Sequence, residues 1–196
     1  MTVGLICAIP EELTHLGDIL DTADTVTVGH AEFATGTLDG HDVVLVGAGI
    51  GKVNAALVTT LLIDRFGCRS IAFSGIAGGL DPALSVGDVV IADRIVQSDA
   101  GMIHDERLEV YQAGHVRFFN PTDELGYPVE PSLLATVKAR LADVQLPPLS
   151  AAAGGAAIVS WGGWTARRRE TRCLAARVTN GPTPLSNNSV CSVLME

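Results

Sequence analysis

The chain has 196 residues, 47% of them hydrophobic, and a mean hydropathy of +0.34, enough apolar surface for one globular core and too much for a disordered chain. A formal net charge of -9 argues against nucleic acid as a partner. No apolar run reaches the ~18 residues of a membrane span, and the opening MTVGLICAIPEE turns acidic without the basic stretch of a secretory leader.

The first 94 residues alternate between strand and helix patterns. TVGLICAI reads as a strand. Residues 10–21 read as an amphipathic helix with Leu13, Leu16 and Leu20 on one face. HAEFATGTLDG and HDVVLVGAG read as two strands joined by a turn at Asp39-Gly40. GKVNAALVTTLLIDR, residues 51–65, predicts a helix that leaves a glycine-rich turn. SIAFSGIAGG predicts a strand running into a second such turn, and DVVIADRIV predicts another strand. Residues 97–130 are polar, irregular and hold several aromatics, which marks a functional loop or an interface segment. PSLLATVKARLA, residues 131–142, predicts a helix burying Leu133, Leu134, Val137 and Leu141. PPLSAAAGG reads as a linker, AAIVSW and SVCSVLME as strands, and WTARRRETRCLAAR has helical propensity with little apolar periodicity.

This alternation predicts an α/β fold: a single domain with a mixed, mainly parallel central sheet flanked by helices. The composition changes near Gly155. Residues 1–155 carry 8 Lys+Arg against 20 Asp+Glu, whereas residues 156–196 carry 5 against 2, all five bases being Arg. The expected division is therefore an α/β domain over 1–155 and a divergent or aberrant tail of the same domain over 156–196. The four cysteines, Cys7, Cys68, Cys173 and Cys191, lack metal-ligand spacing and read as reduced thiols of a cytoplasmic protein.

CAIPEEL, residues 7–13, puts Glu11 and Glu12 where a strand ends and a helix begins. Two readings are open. Pro10 suits the first helical position, and acids in the first turn favour the positive end of the helix dipole. Alternatively, one carboxylate serves a ligand at the carboxyl end of a strand, where open α/β sheets bind. GAGIGKVNAA and SGIAGGLDP are tight glycine turns that let backbone N–H groups approach a ligand. The first is neither a Walker loop nor a dinucleotide fingerprint, and Lys52 reads as a solvated helix-start residue.

Taken together, VGLICAIPEEL, GAGIGKVNAALVTTLL, FSGIAGGLDPALSVGDVVIAD and, more weakly, the terminal VLME resemble the purine nucleoside phosphorylase and nucleosidase superfamily, and within it the bacterial 5′-methylthioadenosine/S-adenosylhomocysteine nucleosidases. The resemblance covers residues 2–95 and extends to about 150. It implies a nucleoside phosphorylase-like fold and a cytoplasmic homodimer that hydrolyses thionucleosides with water and without metal or cofactor. It assigns Glu12 to activation of the attacking water. It places Ala8 and Ile9 along the ribose, and Ile76, Ala77 and Gly78 near the sugar and base, where a hydroxyl residue is common in place of Ile76. It sets Met195 and Glu196 beneath the ribose, with Glu196 on its 2′- and 3′-hydroxyls. Glu11 remains the dipole residue.

The tail departs from the family pattern. Leu194 stands where a Glu is usual, the Asp that protonates the leaving adenine has no counterpart after Asp143, and SWGGWTARRRETRC does not match the segment facing the base. The expectation is a fold incomplete at its C-terminus, with residues from about 156 read in a shifted frame or from a degraded gene. Translation of the other two frames tests this. The competing readings are a catalytically defective nucleoside-binding remnant and a purine nucleoside phosphorylase with Arg94 as nearest phosphate ligand. His104, His115, Phe118, Phe119 and Tyr127 are further candidates for a pocket or a subunit contact.

Overall fold

The computed structural model describes residues 1–77, 89–142 and 144, together with the backbone of 189–195. Its first three strands and first helix are β1 (Val3–Cys7), α1 (Pro10–Ile19), β2 (Asp21–Val28) and β3 (Ala31–Leu38). Then come β4 (His41–Gly47), α2 (Lys52–Asp64), β5 (Ser70–Ala77), β6 (Val89–Ile91) and β7 (Arg94–Ile95). The remainder are β8 (Gly101–His104), β9 (Arg107–Val110), β10 (Tyr127–Pro128), α3 (Pro131–Leu141) and β11 (Ser189–Met195).

Among the described residues seven strands form one mixed sheet in the order β2-β3-β4-β1-β5-β11-β6. β4, β1 and β5 are parallel at its centre. β2 and β3 add an antiparallel meander on one side. On the other side β11 runs antiparallel to β5 and parallel to β6.

The centre is covered on both faces, which is why Val43, Val44, Leu45 and Val46 of β4 are all buried. The strand period of two divides them. Val44 and Val46 join Ile6, Ile71, Val58 and Leu62 on the α2 side, while Val43 and Leu45 join Cys7, Leu13 and Leu16 on the α1 side. Gly4 makes the α2 packing possible, because a Cβ there would stand 2.7 Å from Ile71 Cδ1 and 2.9 Å from Leu62 Cδ1. Phe33 and Phe66 stack at 4.7 Å between ring centroids and close the α2 layer.

Several sequence expectations are corrected. The helix expected over 10–21 stops at Ile19, because Leu20 turns extended (φ -75°, ψ 123°) to lead into β2. Leu20 is nevertheless buried, so the apolar stripe outlasts the helix. β2 itself, DTADTVTV, was not anticipated. It is an exposed edge strand, and its Asp21 and Asp24 are the charges that discourage edge-to-edge pairing. DVVIADRIV is two short strands in different sheets, since β7 leaves the main sheet to pair with β10. The 97–130 segment is not wholly irregular: β8 and β9 form a hairpin turning at Asp105 (φ 54°). The stripe of α3 is half-buried, with no fully buried residue. The expected linker PPLSAAAGG, the strand AAIVSW and the helical WTARRRETRCLAAR lie outside the described residues.

Candidate functional site

The carboxyl ends of β1, β4 and β5 meet at one edge of the sheet. α1 begins there with Ile9 as N-cap, an extended residue whose side chain has no oxygen with which to cap. Glu12, the third helical residue, supplies the acceptor instead. Its Oε2 accepts from the backbone amides of Ala8 at 2.8 Å and Ile9 at 3.2 Å. Its Oε1 accepts from the amide of Ile76 at the end of β5, at 2.9 Å. The reach back to the N-cap amide is the reciprocal half of a capping box. Glu11 is exposed in the first turn, whereas Glu12 is half-buried and caps the helix while facing the strand ends.

A carboxylate has about four acceptor positions. Oε2 uses both of its own on Ala8 and Ile9, and Oε1 uses one on Ile76, which among the described residues leaves one acceptor position on Oε1. Below the site, the Cys7 thiol lies 3.7 Å from the backbone carbonyl of Glu12. Burial, and secondarily the charge of Glu12, pushes the Cys7 thiol up to about 11. Cys7 is therefore a protonated packing residue at neutral pH. Cys7 and Cys68 are both free and buried.

The glycine turn after β4 lies at the same edge. Ala48 donates to the carbonyl of Cys7 at 2.8 Å, and Gly49 (φ 78°) and Gly51 (φ 116°) adopt backbone conformations that favour glycine. Lys52 is not merely solvated, since its ammonium pairs with Asp99 of the 97–130 insert. Arg94, considered above as a phosphate ligand, donates to the carbonyl of Leu125 at 2.8 Å and so ties the insert to β7. His104 lies 3.3 Å from Glu109 Oε2, and His115 Nδ1 lies 2.5 Å from the carbonyl of Asn120. Phe118 and Phe119 are 81% and 68% exposed.

Ala8, Ile9, Glu12 and Ile76 are thus gathered at one point, and Ala77 follows Ile76 at the end of β5. Gly78 and Glu196 lie outside the described residues. Met195 is not brought to this point. β11 runs antiparallel to β5, so Ser189 stands opposite Ala77 and Met195 opposite Ile71. That is about 17 Å along the strand from Ile76 at ~3.3 Å per residue. An open groove of about 410 Å³, lined by Thr2, Asp21, Thr35, Thr37, Asp42 and Phe66 among others, lies at the opposite end of the sheet and does not contain Glu12.

A mixed sheet of parallel and antiparallel strands flanked by helices matches the nucleoside phosphorylase-like class of α/β folds. The model of the Phosphorylase superfamily matches residues 2–163, and the chain belongs to that superfamily. A 5′-methylthioadenosine/S-adenosylhomocysteine nucleosidase of Mycobacterium bovis is 57% identical over 155 residues, covering 79% of this chain and 61% of that protein. The chain thus spans about 61% of the length of that curated relative. A crystal structure of the nucleosidase of the same name from Colwellia psychrerythraea, in complex with adenine, is 34% identical with a TM-score of 0.59 over 71% of this chain and 54% of that one. The Streptococcus pneumoniae nucleosidase with a transition-state inhibitor is 29% identical, with a TM-score of 0.60 over 73% and 59%. No helix among the described residues is long and apolar enough to cross a membrane.

Proposed function

We propose that this chain hydrolyses the N-glycosidic bond of 5′-methylthioadenosine and S-adenosylhomocysteine, releasing adenine in the salvage of methionine. The observation that carries the reading is the Glu12 carboxylate, fixed by the amides of Ala8, Ile9 and Ile76 with one acceptor position left on Oε1 among the described residues. That position takes a proton from water as the water oxygen bonds to C1′ of the ribose. The C1′–N bond breaks, its electron pair leaves with adenine, and the base takes a proton at N7 from solvent water, to which Glu12 returns the proton it accepted. A base within hydrogen-bond reach of the water is worth about 10²–10⁴-fold in rate. The nearby negative charge also favours the oxocarbenium-like transition state of glycosidic cleavage.

In this reading Ala8 and Ile9 line the ribose, and Ile76, Ala77 and Gly78 the sugar and base. Met195 and Glu196 hold the ribose in the family pattern. The register of β11 gives that role no support at the Glu12 end of the sheet, so the proposal does not depend on them. The names of the relatives, and the adenine and the inhibitor bound in two of them, support the substrate class. Hydrolysis is favoured over phosphorolysis because Arg94 is engaged with Leu125. A homodimer is supported by the outer face of α2, where Val53 is 76% and Leu57 47% exposed beside Ile50 at 79%. A cytoplasmic setting is supported by the free thiols of Cys7 and Cys68. A single domain over 1–155 with 156–196 as its divergent segment fits the 155-residue match to the mycobacterial relative and the place of β11 within the sheet.

A specific observation favours a second reading, that of a nucleoside-binding remnant: SWGGWTARRRETRC does not match the family segment that faces the base. Adenine release from 5′-methylthioadenosine in phosphate-free buffer separates the two. Release abolished by Glu12→Gln supports the nucleosidase. Binding without release by folded protein supports the remnant, and release that requires phosphate points to a phosphorylase.

A further inference from the structure

Gly75 is buried in β5, directly against the carboxylate of Glu12. A Cβ built on Gly75 would stand 2.8 Å from Oε1, 2.9 Å from Cδ and 2.9 Å from Oε2. All three distances are shorter than a methyl group tolerates. They are nearly equal, so the flat face of the carboxylate lies over the Gly75 Cα. This glycine differs in kind from Gly49 and Gly51, whose positive φ angles require glycine for the backbone. The backbone of Gly75 is that of an ordinary strand residue, and alanine would suit it. What excludes alanine is the neighbour. That neighbour is the far end of a flexible side chain, which can swing aside without displacing the backbone. Swinging aside takes its oxygens off the amides of Ala8, Ile9 and Ile76.

We propose that Gly75 is a positioning residue for Glu12: its missing side chain leaves the recess in which the carboxylate lies flat, held on three backbone amides with one acceptor position directed outward. The proposal rests on the reading of Glu12 as the base that activates water. Gly75 touches no reacting atom. It acts through Glu12, so its substitution should lower kcat, leave KM nearly unchanged and lower thermal stability by no more than Glu12→Ala does. The loss on Gly75→Ala should approach that of Glu12→Gln, on the order of 10²-fold or more, and the two together should cost no more than Glu12→Gln alone. Shortening the acid should relieve the clash. Glu12→Asp combined with Gly75→Ala should therefore lose less than the product of the two single losses.

The test uses the full chain and two readouts. The first is the amide proton resonances of Ala8, Ile9 and Ile76 in the parent, Glu12→Ala and Gly75→Ala proteins. The second is adenine release under saturating 5′-methylthioadenosine. The expected result is that Gly75→Ala moves the three amides as Glu12→Ala does, leaves the resonances of β4 in place, and lowers kcat. Unmoved amides, collapse of the whole spectrum, or moved amides with unchanged kcat would each overturn the proposal. A parent chain without base release, whose three amides still move on Gly75→Ala, would overturn the catalytic reading of Glu12 and leave the placement of the carboxylate by Gly75 standing.

Discussion

The amide of Ile76 meets Glu12 Oε1 at 2.9 Å although 64 residues separate them in the chain. One carboxylate thereby closes the first turn of α1 and fastens it to the end of β5. The polar anchor of the fold at this edge and the candidate base are the same group, so a substitution at Glu12 acts on both.

The two effects are separable by choice of residue. Glu12→Gln keeps one oxygen for the amides but turns an NH₂ group towards the rest. Adenine release should fall by about 10²–10⁴-fold. Glu12→Ala leaves three amides without their acceptor and should in addition lower unfolding free energy by about 1–3 kcal/mol. Urea titration alongside the activity assay checks both. An Ala variant as stable as the parent would show that the carboxylate does not anchor α1.

Leu62 is fully buried in the layer between α2 and the sheet. Leu62→Ala removes methyl groups that press on Gly4, Ile71 and their neighbours, and should cost about 2–5 kcal/mol in a urea melt. The site lies at the strand ends, so KM should hold below the melting transition.

The buried thiols make stability fall with alkali. Cys7, at about 11 in the fold, is raised above its ordinary value of 9.0, chiefly by burial, and Cys68 is raised for the same reason. A group whose proton is held more tightly in the folded state contributes stability below its unfolded pKa and loses that contribution as pH climbs through the folded one. Unfolding free energy should therefore decline from about pH 9 towards pH 11, and Cys7→Val should flatten part of the decline. A parallel decline in parent and variant would remove Cys7 as a cause.

Ile50, Val53 and Leu57 form an exposed apolar stripe on and beside α2. If this stripe is the seam between two copies, Val53→Asp should shift the sedimenting species from dimer to monomer at micromolar concentration. An unchanged sedimentation coefficient would exclude α2 as the seam.

The strands that sequence reading placed correctly are those whose side chains alternate or run apolar without a break, as β1, β4 and β5 do, because burial on two faces writes itself into the residue pattern. β2 escaped notice because an edge strand buries almost nothing, and its Thr and Asp residues look like a loop. The β8–β9 hairpin escaped for the same reason. Glu12 was legible as a candidate from its place between strand and helix and from family resemblance. Gly75 was not: its φ is ordinary, and only the position of a side chain 63 residues upstream explains it. The register of β11 was equally hidden, since SVCSVLM reads the same in either direction of pairing.

The place of β11 sets a schedule for synthesis. It lies between β5 and β6, although about 100 residues separate it from β6 in the chain. A ribosome adding about 5–20 residues per second leaves the facing edges of β5 and β6 without their partner for roughly 5–20 s. Through that interval the nascent chain carries an open slot with strand-pairing groups on both sides, the geometry that recruits a stray strand from another chain. Slowing translation should therefore raise the protein's demand for chaperones that shield extended segments.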